Sequence, residues 1–137
     1  MKIIIPLLTR SKKNSQQILI NSRTHKPFVA QSKLYKEFEQ ECGYYLNKYK
    51  LNIDHPVNLK CTFIVPDKRT RDLTNLENAI ADILVKYNVL KDDNYNIIQG
   101  WDGSRIIYEK GKEETIIEIE EINNEWITRD RGREWTF

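Results

Sequence analysis

The run Val57-Asn-Leu59-Lys-Cys61-Thr-Phe63-Ile-Val65 constrains this chain more than any other stretch. Apolar side chains at every second position put one face of a strand against a core. His55-Pro56 breaks the chain just before this run, and the charged loop Pro66–Arg71 follows it. The period then changes. Leu76, Ala79, Ile80, Ile83, Leu84 and Tyr87 recur at three- and four-residue spacing, predicting a helix over roughly Asn75–Tyr87. Asn88 is placed to close it in a left-handed cap. A one-faced strand followed by a one-faced helix can bury both apolar faces only by layering one on the other.

The flanking sequence supplies the other elements. Lys2–Leu8 reads as a strand, Thr9–Gln17 as a polar loop, and Ile18–Ile20 and Phe28–Ala30 as short extended pieces. Ser32 caps a predicted helix to about Tyr49, with Leu34, Tyr35, Phe38, Cys42, Tyr45, Leu46 and Tyr49 on its buried stripe. Gly43 within it costs about 1 kcal/mol relative to alanine. Ile97–Trp101 and Arg105–Glu109 are expected to pair across Asp102-Gly103-Ser104, because Asp-Gly favours a tight hairpin turn. Thr115–Ile122 alternates again as a last strand. The expected fold is α+β: a single domain over residues 1–122 with a mixed sheet of four to five strands and two helices on one face. Residues 123–137 form a tail whose aromatic residues, Trp126, Trp135 and Phe137, the pattern does not place. Its Arg129, Arg131 and Arg133 read as contacts to a polyanion or as solubilising charge.

A chain of 137 residues makes one domain and needs neither disulfides nor a structural metal to fold. Its longest apolar runs fall far short of the ~20 residues of a membrane helix, and no secretory signal is visible. Cys42 and Cys61 lack metal-ligand spacing and read as small buried hydrophobes of a reducing cytosol. Membrane protein, secreted mini-protein and multidomain enzyme are excluded. The net charge of +2 hides an asymmetry: residues 1–50 carry ten Lys or Arg against three Glu, and residues 112–137 four against eight acids. The clusters Arg10-Ser-Lys12-Lys13 and Lys68-Arg69-Thr-Arg71 fit phosphate backbones, although by themselves they read first as solvated loops.

Nucleophilic chemistry finds little support: His25 and His55 sit in loops, neither cysteine adjoins a base, and there is no glycine-rich phosphate loop. The acidic residues are the better constellation. Asp72 opens the second helix, Asp92-Asp93 follow it, and Asp102 lies in the turn beyond. Hard oxygen ligands between basic loops suit Mg²⁺ and phosphodiester hydrolysis. Each also has a structural role open to it. Asp72 complements the helix dipole, Asp82 pairs with Lys86, Asp92-Asp93 and Asp102 form turns, and Thr74-x-x-Glu77 fits a capping box.

The stretch Arg71-Asp72-Leu73-Thr74-Asn75-Leu76, then Ala81-Asp82-Ile83-Leu84, then Asp92-Asp93-Asn94 resembles the RusA family of Holliday junction resolvases. Lys12-Lys13-Asn14-Ser15-Gln16-Gln17 and Asp102-Gly103-Ser104-Arg105 look like its phage and prophage branch. The resemblance implies a cytoplasmic homodimer, without an organic cofactor or membrane attachment, that uses Mg²⁺ or Mn²⁺ to cut four-way DNA junctions by paired nicks. It implies Asp72, Asp93 and Asp92 as catalytic and metal-binding residues and Asn75 as an orienting residue; Asp102, by its proximity in sequence, is the nearest candidate for a replacement carboxylate. Lys12, Lys13, Asn14, Lys68, Arg69 and Arg71 would hold the DNA. Thr74 and Asn78 depart from the pattern, standing where well-known members carry an aspartate and a lysine. Two other readings stay open: a junction-binding protein without catalysis, and a flap or RNA-directed nuclease on the same scaffold.

Overall fold

A computed structural model describes residues 1–12, 16–31 and 33–122. Strand β1 (Lys2–Ile5) is followed by a two-stranded ribbon, β2 (Gln16–Ile20) and β3 (Pro27–Gln31), and by helix α1 (Lys33–Leu46). Then come β4 (Val57–Val65), helix α2 (Leu73–Lys86), β5 (Ile98–Gly100), β6 (Arg105–Tyr108) and β7 (Glu114–Glu121). The main sheet is mixed and five-stranded. Strand β7 lies antiparallel between β1 and β4, and both β5 and β6 run parallel to β4 along its other edge.

The alternation of β4 buries Val57, Leu59, Cys61, Phe63 and Val65. Across the ladder Cys61 pairs with Ile117, and Leu59 with Ile119. These side chains meet Tyr35, Phe38, Cys42 and Leu46 of α1 and Leu76, Ile80, Ile83 and Leu84 of α2 in one continuous core. Both cysteines are buried and unbridged, and burial pushes their thiols up to about 12. They are core residues. Gly43 stays inside α1 because a neighbour needs its space: a Cβ there would stand 2.8 Å from the Tyr87 ring. The Tyr87 hydroxyl donates to the Glu39 carbonyl at 2.7 Å, fixing the end of α2 to α1.

Three local expectations are corrected. Helix α1 stops at Leu46 rather than Tyr49, and its expected cap, Ser32, lies outside the described residues. Helix α2 starts at Leu73, two residues before the expected Asn75, and Asn88 follows it with φ 60° as expected. The segments about Asp102-Gly103-Ser104 do not form a hairpin. Strand β5 pairs with Val57 and Asn58, and β6 pairs with Thr62 through Val65, one after the other on the same edge. Side chains bridge the interruption. Ser104 Oγ accepts from the Cys61 N–H (2.9 Å) and donates to the Leu59 carbonyl (3.1 Å). Asn58 accepts from the Asp102 N–H (2.9 Å) and donates to the Asp102 carbonyl (3.1 Å).

Candidate active site

Strand β4 runs into the loop that presents Asp72. Within that loop Asp67 accepts from the Arg69 N–H at 3.0 Å and from the Arg71 guanidinium at 2.9 Å. The Arg71 guanidinium also reaches the Asp67 and Arg69 carbonyls, both at 3.3 Å. The Arg71 hydrogen bond holds the Asp67 carboxyl below the usual carboxylate range. Arg71, with its side chain only 15% exposed, therefore stiffens its own loop. Arg69 is 85% exposed at the loop's surface, and Lys68 lies over the Tyr108 ring at 5.2 Å.

Asp72 is the N-cap of α2. Its backbone is extended, and its carboxylate accepts from the Thr74 N–H at 2.9 Å. The expected Thr74–Glu77 capping box gives way to this Asp72 cap, and Thr74 contributes its backbone rather than its hydroxyl. An aspartate meets the positive end of the helix at this position. Asp72 lines a cleft of about 290 Å³ with Arg10, Ser11, Arg69, Arg71 and Glu113.

The adjacent Thr74 and Asn75, then Asn78, then Asp82 follow along α2 at three- and four-residue steps and leave the core to the other side of the helix. Asp82 does not pair with Lys86, as its spacing suggested; Lys86 bonds Glu39 of α1 instead. Asp82 Oδ2 is 3.2 Å from Lys12 Nζ, which also lies 5.7 Å from the Tyr35 ring centre. Beyond α2, Asp92 accepts from the Asp93 N–H (2.7 Å) and from the Asn94 amide (3.2 Å). The Asp93 carboxyl is held above its usual range by burial first, then by Asp92, with a further push from the charge of Asp82.

The acids thus fall into two places. Asp72 stands at the start of α2, and Asp92, Asp93 and Asp82 gather towards its end, along a helix about 21 Å long. Among the described residues no three His, Cys, Asp or Glu lie close enough together to hold one ion. Asp102 joins neither group. It is tied to Asn58, seven residues of strand or about 23 Å before the loop that leads to Asp72. Lys13 and Asn14 lie outside the described residues. Asp82 joins the candidate residues through its field at Asp93, a place that local reasoning missed although its spacing from Asn75 and Asn78 marks it as part of their stripe.

No family model matches the chain. A stretch of 67 residues, 49% of the chain, is 37% identical to "Crossover junction endodeoxyribonuclease RusA" of Aquifex aeolicus (strain VF5). The chain is similar to RusA over that stretch. The match takes in 51% of the relative, so the chain spans about half the length of the curated protein it matches. Among the described residues no helix is long and apolar enough to cross a membrane.

Proposed function

We propose that this chain is an endodeoxyribonuclease that binds four-way DNA junctions and resolves them by paired nicks. The observation that carries the reading is the 67-residue likeness to a crossover junction endodeoxyribonuclease. The geometry supports it with a carboxylate at a helix N-terminus, inside a cleft whose other walls carry Arg10, Arg69 and Arg71. Arg10 and exposed Arg69 and Lys68 hold phosphates on either side of the scissile bond and set register without reading sequence. Arg71 acts through the loop, by holding Asp67 and keeping Asp72 in place.

Mg²⁺ or Mn²⁺ is the proposed cofactor. A hard dication that keeps most of its water needs one or two carboxylates, and each end of α2 offers that number. Burial raises the Asp93 carboxyl most, and the neighbouring Asp92 and Asp82 add to it; a bound cation relieves that cost of ionisation. When bound, the ion supplies water activation and charge stabilisation at the leaving oxygen. Asp72, with Asp93 and Asp92, is proposed to hold it. Because one protomer separates these groups along α2, the proposal includes a two-fold homodimer in which the start of one α2 faces the end of its partner's. Such a dimer also carries two equivalent sites, which two opposed nicks require.

One observation favours a second reading. With no three-acid group among the described residues of one protomer, and Thr74 and Asn78 neutral, a junction-binding protein without catalysis would have the same surface. Cleavage of a labelled, mobile-core four-way junction in Mg²⁺ or Mn²⁺ decides between them. Paired symmetric nicks that vanish in Asp72→Asn support the nuclease. Salt-sensitive binding without nicks in any divalent metal supports the second reading.

A further inference from the structure

The ribbon of β2 and β3 is unlike every other element of the fold. Its strands hydrogen-bond to each other and belong to a sheet separate from the main one. Ile18 and Ile20 project from one face at 73% and 71% exposure, and the cross-strand pair Leu19 and Phe28 from the other. None of the four enters the core. A two-stranded ribbon is marginal in water, and one that shows aliphatic side chains on both faces calls for a partner.

The charge of the segment identifies that partner's chemistry. The first 36 residues hold eight Lys or Arg and no Asp or Glu. Arg23, His25 and Lys26 are exposed at the ribbon's tip. The tip is built, not loose: Asn21 Oδ1 accepts from the N–H groups of Arg23 (2.8 Å) and Thr24 (3.2 Å), and the Asn21 carbonyl accepts from His25 N–H (2.8 Å). A second copy of this chain would offer matching apolar surface but no reason for the uniform positive charge. A polyanion answers both features if it also exposes unstacked bases.

We propose that the ribbon is a DNA arm that enters the branch point of a junction. Arg23 and Lys26 grip phosphates on the flanking duplexes, and Ile18 and Ile20 press against the bases that the branch leaves open, as aliphatic wedges do at kinked steps. The chain reaches the ribbon from Lys12, beside Asp82 on the polar stripe of α2, so a branch held on the arm lies close to the candidate acids. This deepens the proposed function and rests on it.

The test measures binding in EDTA, by the full chain, to a four-way junction carrying 2-aminopurine at its centre and to matched duplex. Ile18→Thr/Ile20→Thr keeps strand propensity while removing the wedge. It is expected to lose the fluorescence gain of the unstacked base and roughly tenfold or more of junction preference over duplex. Arg23→Ala/Lys26→Ala, at exposed tip positions, is expected to flatten the dependence of log affinity on log salt by about 2. Wild-type fluorescence and salt slope in both variants overturn the arm alone. Dissociation of the isoleucine variant into monomers in sedimentation, with its junction signal intact, gives the ribbon to a second copy and overturns it as well. A wild type that does not distinguish junction from duplex overturns the proposed function and the arm with it.

Discussion

Lys12 Nζ stands 3.2 Å from Asp82 Oδ2, tying the segment between β1 and the ribbon to the polar stripe of α2. Both side chains are about two-fifths exposed, so the pair contributes at most ~1 kcal/mol to stability. Its weight is electrostatic. Asp82 is one of the charges that hold the Asp93 carboxyl up, and Lys12 offsets Asp82 without touching Asp93.

That arrangement predicts a pH dependence with a definite sign. A carboxyl raised in the folded state binds its proton more tightly there than in the unfolded chain. Its contribution to stability is therefore fully present below the unfolded value of about 3.8 and is lost as pH rises through the raised folded value. At pH 7 the ionised Asp93 is a burden. Asp93→Asn should raise the melting temperature at pH 7, and the gain should shrink to nothing at pH 3. Thermal melts of both proteins across that range check it; a gain that is independent of pH refutes the field around Asp93.

Asp72 has two separable jobs, and two substitutions part them. Asparagine caps helices as well as aspartate does, so Asp72→Asn should leave denaturant stability within a few tenths of a kcal/mol of wild type. Asp72→Ala removes the acceptor for the Thr74 N–H and should cost about 1 kcal/mol. Both should abolish nicking. Equal stability loss in the two variants would show that the cap depends on charge rather than on the hydrogen bond.

Gly43→Ala sets helix propensity against packing. Alanine gains about 1 kcal/mol in an exposed helix. Here the new methyl group would meet Tyr87 at 2.8–2.9 Å, and overpacking of that kind costs about 1–3 kcal/mol. The expected outcome is a net loss, together with the Tyr87–Glu39 hydrogen bond. In Gly43→Ala/Tyr87→Leu the methyl group finds room, so the double variant should be more stable than the sum of the single effects predicts.

These contacts also show where the sequence was readable. The period-two run of β4 and the period-3.6 stripe of α2 carry their burial in their own spacing; β4 lies where expected and α2 begins two residues before its expected start. Asp102 to Arg105 reads as a hairpin turn because the Asp-Gly preference is local. The competing partner is the edge of β4, forty-odd residues earlier, and the bridge that makes it win depends on Ser104 and Asn58 side chains. Ser104→Ala should accordingly cost about 1–3 kcal/mol in denaturant unfolding, by stranding the Cys61 N–H and the Leu59 carbonyl. Asp82 misled in the same way. Lys86 stands one turn away, yet the cation that reaches Asp82 comes from position 12, seventy residues distant. For the candidate site, the sequence identified the acids but not their separation, because convergence is a property of the assembled fold.

The separation of Asp72 from Asp93 along α2 makes the dimer testable by mixing. Asp72→Asn and Asp93→Asn proteins, each expected to be inactive alone, are combined and allowed to exchange subunits. If each site joins Asp72 of one protomer to Asp93 of its partner, a mixed dimer has one site with both residues altered and one with both intact. It should then nick one strand of a four-way junction and fail to make the paired cut. If each site lies within a single protomer, every site in the mixed dimer carries one altered residue and no nick appears. Single-strand nicks on a denaturing gel, without linear resolution products on a native gel, therefore support a shared site. Silence in the mixture, after subunit exchange has been verified by mass spectrometry, places the whole site within one chain and removes the structural reason for the facing helices.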